Sequence, residues 1–334
     1  MNKRIVLFGA TGTIGAYTAL HLNNIGYDVI AVGNRKSDNG FFADYGITYL
    51  SADITNQSFV RVLPDHSIYA VVHLAGLIPA RMRGYDPQGY IDTIMTGTLN
   101  VMDYVVHCKS QKVICTQSIS DVAYLCGNVQ SINADSESHF PPNDDHSVYS
   151  ICKTAAVNII EHYYYRYKMQ RYILRLPNIY LYHPNPKYFY NGIEKWQNYR
   201  LIIHNAILGL PVEIWGNPYR IRDIVYVKDC TQIIANALKT DCDGGMYNVG
   251  TGIGTSIEDQ VRGIVEIFSP SDHRSQIIYR PDLPDTPQYV FDISKTVNEL
   301  GYTPKYDYIS YLKDMKHEME VQTFRKLWGL DQGS

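Results

Sequence analysis

Short apolar runs alternate with longer stretches of helical periodicity through the first half of the chain. RIVLFG (4–9) precedes a helix predicted over 13–25. DVIAV (28–32), ITYLSA (47–52), YAVVHLA (69–75), KVICTQ (112–117) and YILRLP (172–177) read as further strands, with helices over 89–108 and 147–169 between the later ones. The runs are rich in Val and Ile and continuously apolar, as strands buried on both faces are. Strands separated by helices make β-α-β units, so the pattern predicts a doubly wound parallel sheet with helices on both sides. After residue 178 the pattern changes. A stretch rich in Tyr, Pro and Asn runs to about 200 and reads as loop. A helix over 200–209 precedes VEIW, YNVG (247–250) reads as a short strand, and helices are predicted over 229–239, 256–268, 294–300 and 308–327. This second part reads as a smaller α+β lobe laid over the carboxyl ends of the sheet.

Composition narrows the function classes. The chain has 334 residues, 45% hydrophobic and 19% charged, with a net charge of -3, so no basic field exists to hold nucleic acid or an anionic membrane. No apolar stretch approaches the ~20 residues of a membrane span. The start, MNKRIVLFGATG, does not read as a secretion signal. The six cysteines, at 108, 115, 126, 152, 230 and 242, form no CxxC and read as reduced thiols of a cytoplasmic protein. The eleven histidines show no metal spacing, and no metal site is predicted.

GATGTIG places Gly9, Gly12 and Gly15 between the first strand and the first helix. At G-x-x-G-x-x-G spacing, the first glycine permits a tight turn, the second lets backbone approach a pyrophosphate, and the third lets helix and strand pack closely. The N–H groups at the helix start then face the phosphates. The end of the second strand chooses between dinucleotides. An acid there bonds the ribose 2′-hydroxyl of NAD, but here Gly33 stands in its place and Asn34, Arg35 and Lys36 follow. Two cations and no carboxylate suit a 2′-phosphate, so NADP is favoured over NAD. Asp53, after the third strand, is placed to accept from the adenine amine or to cap the next helix.

With these pieces in order the chain resembles the extended branch of the short-chain dehydrogenase/reductase superfamily, the nucleotide-sugar epimerases, dehydratases and reductases. The resemblance runs over nearly the whole length: GATGTIG, ADI around Asp53, HLAG (73–76), TGTLNV (96–101), TQSISDVAY (116–124), YSICK (149–153), LRLPNIY (174–180), RDIVYVKD (222–229), YNVGTG (247–252) and Arg280. It implies a Rossmann domain over 1–177 with a returning segment around 225–250, and a substrate lobe over 178–224 and 251–334. It adds Thr11, Thr13, Ile14, Ile54, Leu74, Ala75 and Gly76 to the cofactor site. It also implies a nucleotide-diphosphate sugar as substrate and a homodimer through helices 89–108 and 147–169.

Two Tyr-x-x-x-Lys pairs occur, Tyr149/Lys153 and Tyr164/Lys168, where 29 Tyr and 15 Lys placed at random would give about one. The resemblance singles out the first. Oxidising a sugar hydroxyl needs a base for its proton while hydride leaves carbon, and a free phenol with pKa about 10 is a poor one. An ammonium ~5 Å away at an effective dielectric of ~20 would favour phenolate by about 3 kcal/mol, roughly two pKa units. Tyr149 is therefore the predicted acid/base and Lys153 its tuner; in the family pattern Lys153 also bonds the nicotinamide ribose. The family writes a Ser or Thr three residues before a Val-Tyr pair, and counting back from Ala123-Tyr124 gives Ser120, with Ser118 as the near alternative. Dehydratases of the family carry Asp-Glu after this hydroxyl; here Asp121-Val122 stands there, and Val cannot be a base. Asn178, Arg222 and Arg280 are implied to reach the substrate, the two arginines at its diphosphate. Arg81 and Arg83 read equally as substrate contacts or exposed loop. Ile94 replaces a frequent Asn and is expected to change only its surroundings. Hydride transfer at C4 of a nucleotide-linked hexose, as a 4-keto reductase or a C4 epimerase, is the leading reading. A 4,6-dehydratase or a non-catalytic NADP sensor is the alternative.

Overall fold

The computed structural model describes residues 3–142, 145–190 and 192–330. Seven strands, Arg4–Phe8, Asp28–Gly33, Thr48–Ser51, Ile68–His73, Lys112–Ser118, Gln170–Leu176 and Gly244–Asn248, form one sheet. Their spatial order is third, second, first, fourth, fifth, sixth, seventh, and every neighbouring pair is parallel. The continuous apolar runs arise because both faces are covered. Ile5, Leu7, Val29, Ala31 and Val72 face one cluster with helices Thr13–Asn24 and Val227–Lys239. Their alternates Val6, Phe8, Val32, Val71 and Val113 face helices Gly97–His107 and Asp145–Tyr167. The strand order reverses between the first and fourth strands, and a crevice opens past their carboxyl ends, where α/β sheets bind ligands.

The remaining chain covers that crevice with four two-stranded ribbons: Val212–Trp215 with Ile277–Arg280, Ile221–Asp223 with Gly254–Ser256, Val225–Tyr226 with Ile179–Tyr180, and Lys187–Tyr190 with Ile193–Trp196. Three elements differ from the sequence reading. The helix expected over 89–108 is an α turn (Pro87–Tyr90), a π-helical stretch (Ile91–Thr96) and an α-helix (Gly97–His107). Ile94 lies in the π stretch and is buried with Tyr90 against Tyr149, so the irregularity sits beside the candidate chemistry, as π-bulges often do. The last helix stops at Val321 rather than 327, because Gln322 turns left-handed at φ 51°. The stretch read as loop contains the 187–196 hairpin. Among the described residues no helix is long and apolar enough to cross a membrane.

Helices Gly97–His107 and Asp145–Tyr167 lie side by side, with Leu99 and Ile151 exposed on them. The second Tyr-Lys pair sits at the far end of the longer helix. Tyr164 bonds Asp243 at 3.1 Å and lies 3.8 Å from the Arg171 guanidinium, while Lys168 takes the left-handed turn that ends the helix. Its role is structural.

Candidate active site

A cleft of about 1280 Å³ lies between the sheet and the smaller lobe. Its floor is the glycine turn. Gly9 has φ 82°, and a Cβ there would stand 2.6 Å from the Ala75 nitrogen, so only glycine lets the first strand's exit pass the fourth's. A Cβ on Gly15 would stand 2.0 Å from the Gly9 carbonyl oxygen, which fixes the helix against the turn. Gly12 has no such clash; its nearest neighbour would be that same oxygen at 3.2 Å. It caps the helix without a side-chain acceptor, and Gly12, Thr13 and Ile14 line the cleft. The open surface at Gly12 and the helix-start N–H groups leave room for a diphosphate.

Leu74, Ala75, Gly76, Thr11 and Arg35 also line the cleft, while Asn34, Lys36, Asp53 and Ile54 do not. Asp53 is exposed and accepts from the Thr55 N–H at 3.0 Å and hydroxyl at 2.9 Å, so its carboxylate caps the following turn. Ile54 is buried under Gly97, and its carbonyl accepts from Asn100. The glycine at 33 has a packing reason: a Cβ there would meet the Thr11 hydroxyl at 2.8 Å and the Tyr49 hydroxyl at 3.1 Å. A side chain there would have to displace the Thr11 and Tyr49 side chains.

The middle of the cleft holds Tyr149, Lys153, Ser118 and Ser120. Tyr149 is carried by the first turns of helix Asp145–Tyr167, is 9% exposed, and packs edge-on to Tyr90 at 5.8 Å. Burial pushes its phenol above the ordinary tyrosine value; a hydrogen bond with the Ser118 hydroxyl pulls it back, and the Asp121 charge adds to the rise. Ser118, the last residue of its strand, is the hydroxyl that acts on the Tyr149 phenol, and it accepts from the Ser120 N–H at 3.2 Å, whereas Ser120 Oγ is buried without a hydrogen-bond partner. Lys153 donates to the Thr116 carbonyl and to its hydroxyl at 3.1 Å. Burial brings its own pKa down to about 8. Its ammonium is thus desolvated at the end of the strand, in the same cleft as Tyr149. His73, beneath it, is held uncharged, its pKa brought down to about 3 by burial and by Lys153.

At the far end Arg222 lines the cleft. Its guanidinium lies 5.4 Å from the Tyr289 ring, and its Nε is buried without a partner. Arg280 is not in the lining; it bonds Asp282 at 2.9 Å and Glu213 at 3.3 Å on the rim, as an exposed ion-pair set. Asn178 is exposed within the cleft. Arg81 lines the cleft, whereas Arg83 lies outside it, 5.8 Å from the Phe189 ring of the hairpin. Sequence reading missed Tyr188, His183, Trp215 and Trp328. A signal existed for Tyr188: Asn191-Gly192 between apolar runs marks a hairpin. Arg35, Arg81, Lys153 and Arg222 face one carboxylate, Glu213, among the described lining residues. In a chain of net charge -3, this local excess of positive charge favours a polyanionic ligand.

Asp121, beside the pair, is fully buried and held by Arg175 through contacts of 3.0–3.3 Å and by the Ser138 hydroxyl at 3.0 Å. Val122 is buried with Ile132, Tyr289 and Phe291.

The sequence profile of the NAD dependent epimerase/dehydratase family matches residues 5–250. A putative UDP-glucose 4-epimerase of Methanocaldococcus jannaschii is 25% identical over 308 residues, covering 91% of this chain and 94% of that protein. The solved UDP-glucose 4-epimerase of Thermotoga maritima, determined with UDP-glucose, superposes with a TM-score of 0.78 at 21% identity, over 96% of this chain and 99% of that one. The UDP-glucuronic acid 4-epimerase of Bacillus cereus, solved with NAD, gives 0.72 at 21% identity, again over 96% and 99%. The profile spans most of the chain and both lobes superpose: this protein is an enzyme of the NAD dependent epimerase/dehydratase family.

Proposed function

We propose that the enzyme binds a nicotinamide dinucleotide on the glycine turn and a nucleotide-diphosphate hexose across Tyr149, and inverts the configuration at C4 of the sugar. The observation that carries this is one cleft that gathers three chemistries. It is lined by an open glycine turn, by Tyr149 with Ser118, and by Arg222, whose Nε has no hydrogen-bond partner and whose guanidinium lies 5.4 Å from the Tyr289 ring. The nicotinamide, when bound, supplies the hydride acceptor and donor. Tyr149 Oη handles the proton of the reacting hydroxyl, and the Ser118 hydroxyl holds that oxygen and stabilises the phenolate. Arg222 offers its guanidinium to the diphosphate of the substrate. Dehydration finds no base: the residue after Ser118 is Ile119, and the residue after Asp121 is the buried Val122. Net reduction to a 4-hydroxy sugar uses the same residues and is distinguished by stoichiometry.

The experiment is incubation with UDP-, GDP-, CDP- and dTDP-hexoses, with products resolved by NMR. Epimerisation reaches an equilibrium mixture with no net change at 340 nm. Oxidation of added NADPH in step with product, from a 4-keto sugar only, identifies a reductase. Inertness toward the whole panel refutes the proposal. Arg35 in the cleft and Gly33 in place of an acid support acceptance of a 2′-phosphate. NADP is therefore expected to bind at least as tightly as NAD at fixed salt, and a clear preference for NAD overturns that part. The homodimer through helices 97–107 and 145–167 belongs to the same proposal; a single-protomer mass by light scattering would remove it.

The assignment of Ser118 over Ser120 has its own signature. Ser118→Ala is expected to slow turnover about 10–100-fold and to move the rising limb of the pH profile upward by about one unit. It removes a charge-assisted hydrogen bond worth about 1.5–3 kcal/mol that favours the phenolate. Ser120→Ala is expected to leave that limb in place. The reverse pattern would restore Ser120.

A further inference from the structure

Residues 322–330 leave the last helix and run back onto the sheet domain. Phe324 is buried against Tyr17 of the first helix, ring centroids 4.4 Å apart, and against Phe41 at 5.6 Å. Leu327 is fully buried, and its carbonyl accepts from Arg35 at 3.1 Å. The Lys326 carbonyl accepts from Asn39 at 2.9 Å, and its ammonium donates to the Gly40 carbonyl at 3.0 Å and to Asp44. Trp328, half-buried, stands on His183, just past the strand Ile179–Tyr180, at 4.3 Å and lines the cleft together with Arg35, Gly12 and Thr13. One short segment thus ties the loop after the second strand, the helix opened by the glycine turn, and the smaller lobe.

The surroundings suit an anion. His183 is uncharged, its pKa brought down to about 4 by burial and by Arg81, Arg200 and Arg35. It therefore offers Trp328 an apolar platform among three guanidiniums. Glu213, the one carboxylate among the described lining residues, belongs to the strand Val212–Trp215 instead.

We infer that segment 322–330 is a third wall of the dinucleotide site: the Leu327 carbonyl positions Arg35, Trp328 closes the cleft beside the glycine turn, and the wall retains the dinucleotide between turnovers. This rests on the reading of the cleft as a dinucleotide site and deepens it. A redox-neutral epimerisation returns its cofactor to the starting state each cycle and gains from retention; a reductase has to exchange it.

The test uses the full chain and reads binding rather than turnover. The dissociation rate of reduced dinucleotide is measured by displacement with excess oxidised dinucleotide, for the wild type, Trp328→Ala and Lys326→Ala, with unfolding temperature of the dinucleotide-free proteins as control. Trp328→Ala is expected to release dinucleotide about tenfold faster, equivalent to about 1.4 kcal/mol, and Lys326→Ala about threefold faster, with unfolding temperatures unchanged. Energy transfer from tryptophan to the reduced nicotinamide is expected to fall in Trp328→Phe. Equal release rates in folded variants overturn the inference. A wild type that binds neither NADH nor NADPH overturns the reading of the cleft instead.

Discussion

Replacing Tyr149 by Phe is expected to lower turnover about a thousandfold while leaving dinucleotide affinity within about twofold of wild type. The substitution removes one oxygen and keeps the ring that packs on Tyr90 in the buried cluster with Ile94 and Cys152, so the fold has no reason to change. What is lost is the phenol on which the Ser118 hydroxyl acts. The phenol sits above its ordinary value because of burial, so the resting group is protonated at neutral pH and stands ready as an acid. Acting as a base, it needs positive charge nearby, the part proposed for Lys153, which the Thr116 carbonyl and hydroxyl hold in the same cleft. The oxidative half-reaction is therefore expected to quicken as pH rises above neutrality. Steady-state rates and a fluorescence titration of the dinucleotide check both halves. Turnover within tenfold of wild type would remove Tyr149 from the chemistry.

The sheet was legible because physics leaves a parallel, doubly covered sheet few ways to be written: Val6 and Leu7 must both be apolar when opposite faces are both core. The glycine turn was legible for the same kind of reason, since Gly9 and Gly15 stand where a Cβ meets backbone. The choice between Ser118 and Ser120 was not. Counting back from Ala123-Tyr124 assumes a fixed path, but the strand runs to Ser118 and two short 3-10 turns follow, Ile119–Asp121 and Ala123–Leu125. Where a strand ends depends on its pairing partner, here Leu176 opposite Ser118, and no local pattern records that. The break in helix 89–108 was hidden likewise. IDTIMT is rich in β-branched residues but keeps helical periodicity, and its π geometry coincides with the packing of Ile94 toward Tyr149. Arg280 shows the limit of carrying a role by position: the residue is where the resemblance places it, yet in this structure its guanidinium is spent on Asp282 and Glu213.

The buried Arg175–Asp121 pair carries the largest stability effect. In the sequence Asp121 stood out only where dehydratases carry Asp-Glu, and Arg175 lay unremarked inside LRLPNIY. In the structure they are 0% and 1% exposed at the side chain and form a fork, with further bonds from Arg175 to the Ala134 carbonyl at 2.7 Å and to Asn248 at 3.3 Å. Burial pushes the Asp121 carboxyl up, opposed by Arg175 and Ser138. Asp121→Ala leaves a guanidinium buried without its counter-charge, which costs about 3–5 kcal/mol. At about 2.1 cal/mol/K of unfolding entropy per residue, a chain of 334 residues shifts by roughly 1.4 °C per kcal/mol, so the unfolding temperature should fall by about 4–7 °C. Arg175 also gathers the chain from Asn133 to Ser136 against the strand that follows helix 145–167, so activity should fall as well, by misplacing the turn after Ser118. Asp121→Ala combined with Arg175→Leu removes both charges and should recover part of the lost stability, because the cost lies in the unpaired charge more than in the missing bond. A single substitution that shifts the transition by less than about 2 °C would mean that water reaches the guanidinium, and that the pair does not hold the turn on which Ser118 and Ser120 depend.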